Sequence, residues 1–517
     1  MNHLHFIDYC IIFLFLAATV LLGFRFSRRQ KSTQSYFAAN GKIPSWAIGM
    51  SILATLISSI TFLAYPGEGF GSNWILLVQG LMIPVVLLSI IWFVVPLYRK
   101  MIGLSAYEYF EKRFGRFARY YSSIGFVLTH FSKMGTVFFL LSLALSNMTG
   151  INTFVIIFII GIVIIVLALM GGIEAVIWLD VIQGFMLFGC GIACLLIILF
   201  SVNGGPAEVW HIAQSHGRTG FGPYDLNFRK LTFVVMAING IFYGIQKYGT
   251  DQTIVQRYLT AKTDRSAIKA SLLGVVLIVP VWTLFMFIGT ALFVYYTQHQ
   301  LPAGIRADAV FPYFIVNNLP PGVVGLIVSS LVSAAVCSLG ADLNCIAAVG
   351  VEDYYKKLRP NLSDAQYLKA GKWLVVAAGI GALLIASLYL YMGDEGVLGI
   401  VFTLYAIFSG GIAGIFLLGL FSARANRQGL TIGIVACIFF TAWAFLTSTK
   451  IGTGADKHSL LDLGAYNFKH HKLMLGVYSH LVVIVVGYIA SLFFPKPDID
   501  EHLLYRGWLK NKKHELV

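Results

Sequence analysis

Long uninterrupted runs of apolar side chains are the feature that most restricts how this chain folds. Ile11–Phe24, Phe154–Met170 and Leu473–Phe494 are examples, and about 20 apolar residues in helical conformation cross the hydrocarbon core of a bilayer. Only 12% of the residues are charged, whereas soluble domains carry about 25%. The sequence therefore predicts an all-α polytopic membrane protein with about thirteen membrane-spanning helices, centred near residues 15, 54, 87, 134, 161, 189, 241, 281, 336, 381, 408, 438 and 483.

Basic residues fall in alternate connections between these spans. Because lysine and arginine favour cytoplasmic loops, the alternation predicts an N-terminus outside the cell and a C-terminus in the cytoplasm. Basic residues follow the first span rather than precede it, so that span is expected to be a retained helix and not a signal peptide. The net charge of +14 is then a property of cytoplasmic loops and does not indicate nucleic acid. The basic connections include Arg25–Lys31, Arg99–Arg116, Arg257–Arg265, Lys356–Arg359 and Arg424–Arg427, with exceptions at Arg218, Arg229, Lys230 and Lys469.

Several charged residues fall within or beside predicted spans, where a charge costs about 2.5–3.5 kcal/mol even on lenient scales. Lys133 lies too deep for its ammonium group to reach the surface easily, so it either contacts an anionic solute or pairs with one of the acids. Asp180 follows a predicted tight turn at Gly171–Gly172 and lies about two turns inside the next helix. That depth suits a carboxylate on the exit path of a cation, or a structural partner of a nearby serine or lysine. The remaining acids are Glu174, Asp251 and Asp342.

Glycines beside polar residues indicate that one span is interrupted near Asp251. The segment Tyr248–Thr253 reads YGTDQT, and Asn239–Gly240 precedes it in the same span. A broken helix exposes backbone groups that a substrate can use. An aspartate at such a place also serves as the cap of a new helix, so both interpretations of Asp251 stay open.

Two segments rich in hydroxyl-bearing and small side chains lie in separate halves of the chain. They are Ser51–Tyr65 and Ser329–Cys345. Such residues let helices pack closely, or they line a polar cavity in which free carbonyl groups coordinate an ion. Two segments of this kind are what a transporter built from inverted repeats uses.

Four motifs in this order resemble the sodium/solute symporter family, whose members carry glucose, proline, iodide, pantothenate or sialic acid together with sodium. The resemblance covers nearly the whole chain and implies a LeuT-like fold of two inverted five-helix repeats, with broken helices around residues 54 and 245. It also implies four segments: an additional N-terminal helix and basic loop (1–41), a ten-helix transport core (42–421), two further spans (422–494) and a cytoplasmic tail (495–517). The motifs are Trp46–Ser59, Gly171–Gln183, Gly249–Leu259 and Ser338–Asn344.

The resemblance further implies a sodium site between the first and eighth helices of the core. Asp180 matches an aspartate beside the path by which sodium leaves. Cys337 departs from the family pattern of a hydroxyl group, and a neutral thiol is a poor ligand for a hard cation. Relatives with an additional sodium site use hydroxyl groups where this chain has Gly340 and Ala341, so we expect one sodium ion per cycle. The matching ligand positions are Ala54, Ile57, Ala334, Cys337 and Ser338.

The expected solute is small, polar and anionic. The polar contacts of sugar carriers are largely lost, because their positions match Thr61, Gly80, Asp251 and Val276. By this resemblance, Lys133 falls at the position where sialic acid carriers look to have a substrate-binding arginine. Lysine keeps the positive charge of arginine but lacks its bidentate fork. The resemblance therefore implies sialic acid or another carboxylate, bound by Ser58, Thr61, Gln79, Lys133 and Asp251.

Other functions fit parts of the sequence. A sodium-coupled sugar or vitamin carrier and a passive channel share the membrane architecture, and a sensor of the same fold would need an attached signalling domain. The sequence has no HExxH pair, GxSxG elbow or Walker loop, and His130 near Lys133 has no nucleophile beside it. We therefore predict a multi-pass transporter of the cell membrane, not an enzyme, that works as a monomer and binds sodium, a solute and the lipid bilayer, but no nucleic acid.

Overall fold

The computed structural model describes residues 4–27, 32–390, 410–451 and 458–515, and this part of the chain is almost entirely helical. One small antiparallel pair joins β1 (Lys450–Ile451) to β2 (His458–Ser459). The helices are α1 Phe6–Ser27, α2 Thr33–Ala38, α3 Ser45–Leu56, α4 Ser59–Gly71, α5 Leu77–Met101, α6 Glu108–Phe114, α7 Arg116–Thr149, α8 Thr153–Ser201, α9 Gly205–Ser215, α10 Phe233–Gly249, α11 Gln252–Thr260, α12 Asp264–Gln298, α13 Ala307–Asn318, α14 Val323–Val349, α15 Lys356–Leu358, α16 Asp364–Tyr389, α17 Ile412–Phe421, α18 Arg427–Ser448, α19 Lys472–Ser491 and α20 Tyr505–Glu515.

Ten helical segments of the described chain are long and apolar enough to cross a membrane, and the bent pair α3–α4 makes an eleventh. Two of the thirteen predicted spans are absent from this count for different reasons. The span predicted near residue 241 corresponds to α10, which has only 17 residues because the helix is interrupted after Gly249. The span predicted near residue 408 lies mostly outside the described residues, and its final part is α17.

Both predicted helix interruptions are present. The axes of α3 and α4 differ by 56°, because Ile57 and Ser58 adopt extended backbone conformations and the Ser58 hydroxyl accepts the Ile60 amide at 3.2 Å. Between α10 and α11, Asp251 is extended and its Oδ1 accepts the Thr253 amide at 2.8 Å. A polar side chain therefore starts each second helix by satisfying a backbone amide that has no helical partner.

The predicted turn at Gly171–Gly172 divides α8 into two spans, Thr153–Met170 and Gly172–Ser201. Gly172 has a φ of +56°, a conformation that other residues rarely adopt. A Cβ atom there would lie 2.7 Å from the backbone oxygen of Tyr36. Glycine is therefore required by both the backbone angle and the close approach of a neighbouring segment.

The second segment rich in small residues, α14, lies at the centre of the bundle in contact with α1, α3, α7, α8 and α16. Close packing accounts for part of its composition. Ser329 and Ser333 donate their hydroxyls back to carbonyls one turn earlier, at 2.7 and 2.8 Å, as expected of serines that serve helix packing. The division of the chain into four segments stays a prediction.

Candidate functional site

A cavity of about 140 Å³ lies among α3, α4, α5, α7, α10, α12 and α19. Four of the five predicted solute-binding residues line it, namely Ser58, Thr61, Gln79 and Lys133. Asp251 does not line this cavity and lies behind its wall, at the break between α10 and α11. Its capping role, one of the two interpretations left open by the sequence, is present in the structure.

The cavity lies towards the predicted outer side of the membrane. Asn239 and Leu473 line it from the first two turns of α10 and α19, and the charge distribution predicts that both helices begin outside. The Asn239 side-chain amide donates to the Leu473 carbonyl at 3.2 Å. Helix α19, which lies beyond the predicted ten-helix core, therefore forms part of the cavity wall.

Lys133 both pairs with an acid and borders the cavity. Its Nζ lies 3.0 Å from Oδ2 of Asp342, and 21% of its side chain is exposed, whereas Asp342 is completely buried. The two roles considered for Lys133 are thus compatible, because an ammonium group has three donors. Asp342 occupies part of this capacity and holds the group at the cavity wall.

A second lysine, which the sequence did not single out, makes a similar pair. The Nζ atom of Lys247 lies 2.7 Å from Oδ2 of Asp251 and 3.1 Å from the Thr253 hydroxyl, and Lys247 also lines the cavity. The i,i+4 spacing of Lys247 and Asp251 was the sequence signal available. This spacing did not identify the pair, because Lys247 and Asp251 lie on either side of a helix break.

His130 joins the two pairs into one cluster. Its Nδ1 lies 2.9 Å from Asp342 Oδ1, and its Nε2 lies 3.1 Å from Asp251 Oδ2. The five members, which we call the cavity cluster, are Lys133, Asp342, His130, Asp251 and Lys247. Charged groups of both signs are therefore connected along one side of the cavity.

Three further cavity residues carry buried polar atoms that have no hydrogen-bond partner within the described chain. They are Gln246 Oε1, Trp282 Nε1 and His480 Nδ1. An unsatisfied buried polar group costs about 1–3 kcal/mol, so such atoms are suited to bind the polar groups of a solute. Sequence reasoning missed all three, because nothing in their local motifs distinguishes them from packing residues.

The break between α3 and α4 provides free backbone oxygens for a cation. The last helical bond of α3 runs from the Ile57 amide to the Leu53 carbonyl at 3.1 Å, and the next begins with the Phe62 amide and the Ser58 carbonyl at 3.2 Å. The carbonyls of Ala54 and Ile57 fall between these two bonds. Carbonyl and hydroxyl oxygens are the ligands expected of a hard cation.

Helix α14, which contacts α3, provides the matching hydroxyl. The Ser338 Oγ atom is fully buried and has no hydrogen-bond partner in the described residues. Ala334 lies one helical turn before it on the same face. The donor set predicted for sodium is therefore chemically consistent, with an unsatisfied oxygen on one side and free carbonyls on the other.

Cys337 and Asp180 are engaged with other partners. The Cys337 thiol donates to Oε1 of Gln183. Oδ2 of Asp180 accepts from the Ser51 hydroxyl and lies 3.0 Å from Nη2 of Arg257, and both ionic side chains are completely buried. The structural role considered for Asp180 is thus present, with arginine rather than lysine as the cationic partner. Arg257 neutralises the carboxylate that lies nearest to the predicted ion path.

Comparison with known proteins identifies the family. The family model described as the sodium:solute symporter family matches residues 36–437. This chain belongs to the sodium:solute symporter family. The sodium/sialic acid symporter NanT of Aliivibrio fischeri is 34% identical over 505 residues, covering 96% of this chain and 95% of the relative. SiaT of Proteus mirabilis, also a sodium/sialic acid symporter, is 35% identical over 501 residues, covering 96% and 97%.

Solved structures confirm the fold of this symporter. A substrate-bound, outward-open sodium-coupled sialic acid symporter superposes with a TM-score of 0.87 at 31% identity, covering 96% of this chain and 99% of that chain. Mhp1, a nucleobase–cation-symport-1 family transporter, gives a TM-score of 0.60 at 16% identity, covering 89% and 95%, a likeness that shows the fold alone. The prediction of a LeuT-like, all-helical membrane protein is confirmed.

The functional class is confirmed as well. The chain is a sodium-coupled symporter and a multi-pass protein of the plasma membrane, not an enzyme. Sodium is its coupling ion rather than a cofactor. The individual solute and sodium ligands remain predictions.

Proposed function

We propose that this symporter imports a small anionic organic solute, a sialic acid or another carboxylate, together with one sodium ion. The observation that carries the proposal is the partly exposed Lys133 ammonium group on the wall of the cavity. The two sialic acid symporters that match nearly the whole chain support the same class of solute.

The solute carboxylate is expected to bind Lys133 without removing it from Asp342. An ammonium group in a largely buried site gains about 1.5–3 kcal/mol from a charge-assisted hydrogen bond. Hydroxyl and amide groups of the solute are then expected to form hydrogen bonds with Ser58, Thr61 and Gln79. Gln246 Oε1 and Trp282 Nε1, which have no partner in the described chain, are expected to bind further polar groups of the solute.

Sodium is expected to bind the carbonyls of Ala54 and Ile57 and the Ser338 hydroxyl. Because these ligands belong to α3 and α14, the ion would hold the two helices together while the solute is bound. Closure of the outer side and opening of the inner side follow in an alternating-access cycle, and the ion leaves past Asp180. We infer one ion, because Gly340 and Ala341 offer no side-chain hydroxyl for an additional sodium site.

The test is uptake of sialic acid by purified protein in liposomes, with and without an inward sodium gradient. Lys133→Ala is expected to lower solute affinity by about 10- to 150-fold, the equivalent of a charge-assisted bond, and Lys133→Arg to retain most of it. Lys269→Ala, at an exposed position on α12, is the control. Sodium-independent uptake, or binding of a neutral sugar or vitamin alone, would reject the proposal.

We also propose that the functional unit is a monomer, since the cavity and the proposed sodium ligands all come from one chain. The mass of the protein in nanodiscs, compared with its transport rate, tests this. Transport activity that appears only in a dimeric fraction would contradict it.

A further inference from the structure

The contacts of His130 show how many protons the cavity cluster can accommodate. A neutral imidazole has one N–H donor, and an ionised carboxylate only accepts. Both ring nitrogens of His130 nevertheless lie within 3.1 Å of carboxylate oxygens, on Asp342 and Asp251. With a neutral ring, one of these contacts would set two lone pairs against each other. The arrangement therefore accommodates one proton more than a neutral ring between two ionised carboxylates.

That additional proton gives the cluster a net positive charge. Lys133 and Lys247 balance the two carboxylates, each through a close ion pair, so a protonated His130 leaves a charge of +1. Within the part of the chain that the structure describes, no further charged side chain pairs with the ring or its two carboxylates. The titratable side chains near them are Asp342 and Cys345 from α14, Asp251, Lys247 and Tyr243 from α10 and its break, Tyr258 from α11, Tyr107 from the segment before α6, and Lys133 from α7 itself.

We propose that His130 is the binding site of a proton that enters with the anionic solute, so that protons as well as sodium drive uptake. This inference deepens the proposed function and rests on it. The two events favour each other because the protonated cluster carries the charge that an anion needs, and the bound anion in turn stabilises the protonated ring. Such coupling between two ligands is reciprocal.

The proposal changes the charge moved in each cycle. One sodium ion and one monovalent anion carry no net charge, so the membrane potential would not affect their uptake. With one proton added, each cycle moves one positive charge inward. Dependence of transport on membrane potential therefore separates the two stoichiometries without any mutation.

The first experiment measures sialic acid uptake by the full-length protein in liposomes at saturating sodium. A potassium diffusion potential, negative inside, is expected to increase uptake, and an enclosed pH-sensitive dye is expected to report acidification that accompanies the solute. The solute Kd is expected to fall by up to tenfold for each unit of decrease in pH across the range where the cluster titrates, the limit for one proton. Electroneutral uptake with a Kd independent of pH would overturn the proposal.

Three variants distinguish a proton site from a structural histidine. His130→Gln removes the titrating group and leaves the cluster neutral, so weak binding at every pH and loss of the dye signal are expected. The double variant His130→Gln/Asp342→Asn restores a fixed charge of +1 from the two lysines and Asp251, and is expected to bind the solute more tightly than His130→Gln, again without pH dependence. His211→Gln, at an exposed position on α9, should behave as the unmodified protein.

A measurement without solute keeps this inference separate from the proposed function. Solid-state NMR of ¹⁵N-histidine-labelled protein in liposomes with sodium alone reports the protons on each ring, and His130→Gln assigns the signal. A change from two N–H groups to one is expected as the pH is raised. A ring that keeps the same protonation at every pH at which the protein stays folded would overturn the proton site, even if sialic acid is transported. Absence of sialic acid uptake alongside a titrating ring would instead reject the proposed solute.

Discussion

The cavity cluster and a second ion cluster at the predicted cytoplasmic side both connect acidic and basic side chains, but only the cavity cluster leaves polar groups available to a solute. In the second cluster, which we call the inner cluster, Arg119 donates from Nε to Asp353 at 2.9 Å and pairs with Glu111. Ser105 donates to the same aspartate at 3.0 Å, and the Lys357 Nζ atom lies 2.5 and 2.6 Å from the two carboxylate oxygens of Glu111.

The two clusters differ in their position relative to the cavity and in the histidine that only the cavity cluster contains. The inner cluster ties α6, α7 and the π-helical segment Gly350–Tyr355 together by direct pairs, and its members are absent from the lining of the solute cavity. The cavity cluster places a partly exposed ammonium group and a doubly contacted imidazole beside that cavity. Buried ion pairs therefore indicate a solute site only where a cavity and unsatisfied polar atoms accompany them.

The largest expected effect comes from removing one partner of the inner cluster. Asp353→Ala leaves the almost fully buried Arg119 without its main counter-ion, which typically costs about 3–5 kcal/mol. We expect a clear decrease in the thermal unfolding temperature of the purified protein. The pH dependence of solute binding should stay as in the unmodified protein, because the cavity cluster is intact.

The matched control is Asp225→Ala, which breaks an exposed pair with Lys230 and should leave the thermal unfolding temperature almost unchanged. A shifted pH profile in Asp353→Ala would show that the two clusters are coupled, and would contradict the separation drawn between them.

The second effect tests whether the unsatisfied polar atoms belong to the solute site. Gln246→Met removes a buried oxygen that has no partner in the described chain and keeps a similar volume. Stability is expected to stay constant or to rise, because an unsatisfied acceptor is lost. Solute affinity is expected to fall by about 1–3 kcal/mol, as measured by titration at saturating sodium. A loss of stability with unchanged affinity would assign Gln246 to packing.

The sequence contained enough to predict the fold and the helix breaks, because these depend on local patterns. Apolar runs gave eleven of the spans now present, and the polar and glycine-rich segments near Ser58 and Asp251 marked both interruptions. The sequence also predicted that Lys133 faces the interior of the bundle, since a charged side chain within an apolar run is costly to expose to lipid.

The partners of these residues were not predictable in the same way. His130 and Asp342 are 212 positions apart, and only the packing of α7 against α14 brings them together. His480 lies on a helix beyond the predicted transport core, where its sequence context resembles that of a packing residue. A single sequence shows which side chains are costly to bury, but the choice of partner depends on the tertiary arrangement.

A third effect concerns the proposed sodium site, which has one thiol where relatives of this family are expected to have a hydroxyl. Cys337→Ser supplies a harder ligand at nearly the same volume. We expect sodium affinity to increase by up to about tenfold, equal to about 1.4 kcal/mol, with the affinity for solute at saturating sodium unchanged. Sodium titration of the thermal unfolding temperature measures this, and a decrease in sodium affinity would show that the Cys337–Gln183 contact supports the site.

The smallest expected effect uses pH to separate the two clusters. Burial raises the pKa of Glu111, but hydrogen bonds from Lys357 and Arg119 outweigh it, so the pKa lies below its ordinary value of 4.5. A carboxyl whose pKa is lower in the folded state stabilises the protein above its unfolded pKa, and that contribution is lost as the pH falls through the folded pKa. Glu111→Gln should therefore destabilise the protein by less than about 1 kcal/mol, by the same amount at every pH from 8 to 5.

The thermal unfolding temperatures of Glu111→Gln and the unmodified protein should converge only below about pH 4.5. Solute binding is expected to change with pH through the proton proposed on His130, without any contribution from Glu111. If the difference in stability caused by Glu111→Gln changed over the pH range in which solute binding changes, the inner cluster would share that proton, and the two clusters would act as one titrating system.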